Sequence, residues 1–168
     1  VTAIFLLLCF AILTGCTKDA AKRDAYNQLK EKGKLIVGTS TDYKPMVYHD
    51  EKGEIIGLDI DIAKEIASQM GLSLEIKDFP VWEKLLDSAS TGKIDFAISG
   101  MTITSERSKK MLFSAPYFNG GQVLLVRSDD NSIQTVEDMA NKKIAVIVGS
   151  TSEQAALQYV QSPDFLIL

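Results

Sequence analysis

Short apolar runs alternating with helix-spaced amphipathic segments predict an α/β protein with mainly parallel sheets. Three observations carry that expectation. Leu35 to Val37, Leu72 to Ile76 and Ile94 to Ile98 read as buried strands separated by two helical patterns. The third run ends in Ser99 to Arg107, SGMTITSER, which sets small hydroxyl residues, a glycine and one arginine where a sheet would end. Lys34 to Thr41, KLIVGTST, is echoed by Lys143 to Ser152, KIAVIVGSTS. Each is a Lys-led apolar strand ending in glycine and a hydroxyl cluster, as two lobes that begin alike would show, or as convergent strand-to-loop chemistry would.

Taken in order, Ala20 to Leu29 has helical spacing within a polar, Lys-rich stretch that reads as a tether. After the first strand, the turn signal at Gly53 and the pair Ile55, Ile56 suggest another strand. Leu58, Ile62, Ala63, Ile66, Ala67 and Met70 then mark a helix between Gly57 and Gly71, with Asp59 and Asp61 in the first turn, where carboxylates suit the positive end of the dipole. Trp82, Leu85, Leu86 and Ala89 mark a second helix that stops before Gly92, and Thr104 to Lys110 a third. Gly120 and Gly121, which would let the chain pass from one lobe to the other, precede a predicted apolar strand, Gln122 to Arg127. A helix from Thr135 and a buried strand over Lys143 to Val148 complete the pattern.

The chain has 168 residues, 46% of them hydrophobic, with 18 basic against 22 acidic residues and a net charge of −4. No basic block is present, which excludes nucleic acid as the expected partner. Ala3 to Leu13 is uncharged and too short to span a bilayer, matching the apolar core of a secretory leader. No basic residues stand ahead of it, so the start of the leader is expected to precede Val1. The run closes on Leu13, Thr14, Gly15 and Cys16, and this combination resembles a bacterial lipobox, in which the cysteine is lipidated and becomes the first mature residue. Cys9 would be lost with the leader, leaving Cys16 as the single mature cysteine and no intrachain disulfide. One histidine, His49, and one cysteine argue against a metal site, and no cofactor is expected. The expected division is residues 1–15 leader, 16–33 tether, 34–119 first lobe and 120–168 part of a second.

Several residues admit a functional and a structural reading. The loop Ser99 to Arg107 can grip a small anion, because an arginine fork holds a carboxylate through parallel hydrogen bonds, while Ser99, Thr102 and the bare backbone at Gly100 serve the rest of a polar molecule. Thr104, Ser105 and Glu106 can equally cap a short helix. Ser150 and Glu153 have capping-box spacing, which places Ser150 and Thr151 at a helix N-terminus, either as a cap or as an anion site. Tyr43 and Trp82 can pack locally or lie against a ligand at the same sheet edge. No GxSxG, no P-loop and no His-centred constellation appears, so the chain displays no catalytic chemistry.

Residues Lys34 to about Glu153 resemble the extracellular solute-binding proteins of polar amino-acid ABC importers, family 3. The resemblance rests on GTSTDYKP, GEIIGLDIDIAKEIASQMG, GKIDFAISGMTITSERSKKMLFSAPYF and KKIAVIVGSTSEQ, in that order. It implies a two-lobed fold of the type II periplasmic-binding-protein kind, with the second lobe incomplete because the family continues beyond Leu168. It further implies that Arg107 clamps the ligand α-carboxylate, that Thr102 binds the head group, and that Ser99 and Gly100 line the pocket. Tyr43 and Trp82 would flank the ligand side chain, and Ser150 and Thr151 would approach from the second lobe. Ser40 stands where some relatives that bind basic amino acids carry an acid. The partners implied are a free amino acid and the membrane permease subunits, with the chain monomeric, anchored by lipid at Cys16 and outside the cytoplasm. An enzyme on the same scaffold, such as a dehydratase, would need a general acid near Arg107, and a sensory module fused to a signalling protein is disfavoured by the lipobox.

Overall fold

The computed structural model describes residues 17–140, 142–159 and 166–167, so Cys16 and the leader lie outside the described residues. Helix α1 (Thr17–Lys32) extends beyond the expected Ala20 to Leu29 at both ends, and its Leu29 packs against the core beside the first strand. The parallel sheet has the order β5-β1-β6, with β1 (Lys34–Thr39) in the centre, β5 (Ser73–Asp78) on one side and β6 (Phe96–Ala97) on the other. A separate antiparallel sheet is built from β2 (Asp42–Tyr43), β3 (Val47–His49) and β4 (Ile55–Ile56).

Helix α2 (Leu58–Met70) returns the chain from β4 to β5, and its buried Ala63 and Ala67 pack with Leu35, Val37, Leu72 and Ile98. Helix α3 (Trp82–Ser90) returns it from β5 to β6 and buries Leu85 on the opposite face, where Gly38 leaves space for Leu85 and Ile94. Helices on both faces explain why β1 is an almost unbroken apolar run rather than an alternating one. Burying a side chain the size of Leu85 contributes about 1.5–3 kcal/mol.

The third strand is shorter than the Ile94 to Ile98 run, because Asp95 interrupts the regular ladder. Its backbone N–H donates to the Ile36 carbonyl at 2.9 Å, while its carboxylate accepts the Ile36 N–H at 2.7 Å and meets Lys32 at 2.8 Å. Beyond Ile98 the expectations and the structure diverge more. Helix α4 is a single turn (Ser105–Ser108) capped by Thr104, and the helix predicted from Thr135 is one 3-10 turn, Glu137–Met139. The Asp138 carboxylate accepts the Gln134 and Thr135 N–H groups at 2.9 Å, which caps the start of that turn, where amides have no acceptor within the helix.

The predicted strand Gln122 to Arg127 is not formed. Val123 and Leu125 are 92% and 94% exposed, and no described strand pairs with the segment. Apolar character alone does not make a strand when both edges lack hydrogen-bonding partners. Of Lys143 to Val148 only β7 (Ala145–Val146) is regular, pairing in parallel with β8 (Leu166–Ile167), and α5 (Thr151–Tyr159) follows. Among the described residues no helix is long and apolar enough to cross a membrane.

Gly57 enters α2 at φ 125°, and a Cβ there would strike the Met46 carbonyl, which must stay in place to accept the Asp59 N–H at 2.9 Å. Gly57→Ala should therefore lower stability by at least about 1–3 kcal/mol, read as a reduced urea midpoint with an unchanged m-value.

Candidate functional site

The carboxyl ends of β1 and β6 lie side by side, as the parallel order requires, and the loop that follows β6 is fastened there. Ser99 Oγ accepts the Ser40 N–H at 3.0 Å and donates to the Ser40 carbonyl at 3.1 Å. Its hydroxyl thus joins the two strand ends. Gly100, at φ 55°, donates its N–H to Asp59 Oδ2 at 2.7 Å, and a Cβ on it would collide with the Tyr43 ring. Tyr43 therefore covers the loop backbone while remaining 47% exposed.

Thr104 caps α4 by accepting the Arg107 N–H at 3.2 Å, so the capping reading of this loop holds. The cap also turns Arg107 inward. Its side chain is only 8% exposed, with Nη1 donating to the Thr102 carbonyl at 2.9 Å and Nη2 to the Gly149 carbonyl at 3.0 Å. The guanidinium lies 5.4 Å from the Trp82 ring. Three of its five N–H donors make no hydrogen bond among the described residues. Neighbouring Glu106 reaches Lys110 rather than Arg107, at 3.9 Å. Burial lowers the pKa of Arg107 and Glu106 partly opposes it, but a guanidinium remains charged at any physiological pH.

The later segment supplies the facing groups. Trp82 Nε1 donates to the same Gly149 carbonyl at 3.3 Å, so one oxygen receives both the indole and the guanidinium. The Gly149 N–H is held by Glu153 Oε2 at 2.8 Å, and Ser150 Oγ accepts the Glu153 N–H at 3.2 Å, a capping arrangement at the start of α5. Thr151 Oγ1 lies 3.4 Å from Thr102 Oγ1 and accepts from Gln122 Nε2 at 3.1 Å.

The structure thus brings Trp82, Thr102, Arg107, Ser150 and Thr151 together around Gly149. Ser99, Gly100 and Tyr43 form a second group one step back along the loop. Sequence reasoning missed Gly149 as a carbonyl acceptor, since a backbone oxygen leaves no side-chain signal. It also missed the burial of Asp59, although the acid in the first turn of an apolar-faced helix was visible. A cleft of about 340 Å³ beside Arg107 is lined by Glu83, Leu86, Thr104, Met111 and Gly149, and by none of Tyr43, Ser99, Gly100, Thr102 or Thr151. The direct contacts to Gly149 and Thr151 occupy the space between those residues. No metal-binding cluster of His, Cys, Asp or Glu occurs among the described residues.

Residues 35–162 match the bacterial extracellular solute-binding proteins, family 3. The chain belongs to this family. It is 31% identical over 164 residues to the L-cystine-binding protein TcyJ of Escherichia coli (strain K12), covering 96% of this chain and 61% of that protein. It is 30% identical over 164 residues to cyclohexadienyl dehydratase of Pseudomonas aeruginosa, covering 96% and 60%. The solved arginine-bound form of truncated ArgBP from T. maritima superposes with a TM-score of 0.79 at 42% identity, covering 84% of this chain and 66% of that one. The chain spans about three fifths of the length of the curated relatives it matches. This family 3 chain thus has the periplasmic-binding-protein fold, with partial coverage of the second lobe.

Two predictions follow from these contacts. Ser150→Ala removes the α5 cap and should cost about 0.5–2 kcal/mol, read as a urea midpoint followed through Trp82, the sole tryptophan. Burial raises the Asp59 pKa while the Tyr117 and Gly100 hydrogen bonds partly oppose it. A carboxyl whose folded pKa exceeds its unfolded one binds more protons when folded, so its contribution to stability falls as pH rises through that window. Relative to wild type, Asp59→Asn should therefore gain in urea midpoint as pH is raised from below to above the ordinary aspartate range.

Proposed function

We propose that this family 3 chain is the substrate-binding component of an amino-acid ABC importer, capturing a polar amino acid between two lobes and delivering it to the membrane permease. The reading is supported above all by Arg107, a buried cation with no carboxylate partner among the described residues and with donors to spare. A desolvated guanidinium of that kind is a bidentate receptor for a carboxylate. The ligands of these relatives agree on what it would receive. Arginine and cystine differ in their side chains and share an α-carboxylate beside an α-ammonium group.

In this mechanism the ligand carboxylate takes the spare guanidinium donors together with the Nη2 donor now directed at Gly149, with Thr102 and Thr151 hydroxyls closing on the head group from either side. Trp82 keeps the guanidinium plane fixed during that exchange. Contacts made by both lobes favour the ligand-bound arrangement, which is the population shift the permease would read. Lipidation at Cys16 would hold the protein outside the cytoplasm at the membrane surface. Binding rather than catalysis is the function proposed. Of the carboxyls around the cleft, Glu83, Asp87 and Glu106 are exposed, and the part-buried Glu153 is committed to the Gly149 N–H at 2.8 Å.

Calorimetric titration with the polar amino acids and cystine should give micromolar or tighter binding of at least one, about −8 kcal/mol or better. No heat with any of them overturns the proposal, and turnover detected by NMR replaces it with the dehydratase reading. Arg107→Ala should lose about 2–5 kcal/mol of binding, roughly thirtyfold to several-thousandfold in Kd, because the carboxylate would enter the site unpaired.

A further inference from the structure

The spacing of α2 places Asp59 in its first turn, where a carboxylate complements the helix dipole. The structure buries it completely and directs both oxygens away from its own helix. Oδ2 accepts the Gly100 N–H at 2.7 Å and Oδ1 accepts the Tyr117 hydroxyl at 2.8 Å. These partners belong to two different segments. Gly100 opens the loop that carries Thr102 and Arg107. Tyr117 stands just ahead of Gly120 and Gly121, where the chain departs for β7 and α5.

We propose that Asp59 is a positioning residue for ligand capture, one carboxylate that fastens the ligand loop and the crossing segment to the same rigid helix. This rests on the reading of Arg107 as the carboxylate clamp. The geometry runs without a gap from Asp59 to the Gly100 amide, then through Met101 to the Thr102 carbonyl, which holds Arg107 Nη1 at 2.9 Å. Gly100 cannot be held by side-chain packing, because it has none and because the Tyr43 ring fills the place of a Cβ. Its amide is the available handle, and a buried carboxylate is the strongest neutral-pH acceptor for it.

The second arm serves the other segment. Tyr117 is 44% exposed overall, but its hydroxyl reaches inward to Asp59, and its pKa is raised by burial and by that hydrogen bond. The phenol therefore stays protonated as a donor. No cation pairs with Asp59 among the described residues, and its two oxygens are answered by these two donors. When the later segment moves relative to the parallel sheet, the point that stays fixed is Tyr117, and the same carboxylate keeps Arg107 aimed.

The test compares Asp59→Ala, Asp59→Asn and Tyr117→Phe in the full chain. NMR hydrogen exchange at the Gly100 amide is followed without ligand, and calorimetry is run with L-arginine and L-cystine as probes. Asp59→Ala should speed Gly100 exchange and weaken binding, each by about tenfold or more. Asp59→Asn should restore both to within about threefold of wild type, since its carbonyl can accept the amide and its NH₂ can donate to the phenol. Tyr117→Phe should leave Gly100 exchange unchanged and still weaken binding severalfold. Wild-type affinity in Asp59→Ala, or an Asn variant as impaired as the Ala variant, overturns the proposal. If Asp59→Ala fails to fold, the Asn and Phe variants decide it by the same two readouts, and full affinity in Tyr117→Phe then overturns the coupling. A wild-type chain that binds neither probe overturns the clamp reading instead, and Gly100 exchange alone then decides whether Asp59 holds the loop.

Discussion

Strand β1 has both edges paired and both faces covered, so its backbone can change direction only at its ends. β5 runs parallel to it along Lys34–Thr39 and β6 along Val37–Gly38, with α2 against one face and α3 behind the other. Parallel pairing forces every strand to finish at the same edge, and there the chain must leave the sheet. Ser40, Asp78 and Ser99 are consequently neighbours across the sheet despite their separation in sequence, and the hydrogen bonds between Ser99 and Ser40 join two of those exits. The candidate site is built on the third exit, and its precision derives from the rigidity of the strands beneath it.

On that edge the dominant electrostatic fact is a buried guanidinium whose hydrogen bonds among the described residues go to two carbonyls. Carbonyls from Thr102 and Gly149 orient Arg107 without neutralising it. A full carboxylate partner would satisfy the charge and leave nothing for a ligand. Two neutral acceptors keep it in place and in want of an anion. Gly149 also takes the indole N–H of Trp82, so a single backbone oxygen links α3, α4 and the start of α5. That shared oxygen ties the later segment to the sheet edge.

Elements that make their own local contacts were legible in the sequence. Helix α2 keeps its Gly57 entry and its Gly71 exit and buries Ala63 and Ala67 of the expected face, but Leu58 and Ile66 are exposed while Asp59 and Ile60 are buried in their place. Helix α3 and the capping pair Ser150 and Glu153 were equally visible, because caps and periodicity act within one turn. The stretch Gln122 to Arg127 was not, although it is as apolar as any strand in the chain. Pairing is a property of two segments, and no described neighbour offers the second. The helix expected from Thr135 has a capped start, with Asp138 accepting the Gln134 and Thr135 amides, but it ends after one 3-10 turn because the chain turns extended at Ala140, at ψ 128°.

The sequence by itself determined the alternation of strand and helix, the apolar character of β1, and the loop Ser99 to Arg107 as a cluster of hydroxyls around one arginine. Those follow from periodicity and from residue chemistry, both of which are local. Only the tertiary structure decided what each group touches. It joined the Ser99 hydroxyl to Ser40, stacked Trp82 near Arg107, and set the Asp59 carboxylate between Gly100 and Tyr117. It also made the Gly149 carbonyl the meeting point of the later segment and the sheet edge. These contacts span tens of residues and use backbone atoms common to every amino acid, so no pattern of side chains along the chain encodes them until the parallel sheet brings their segments together.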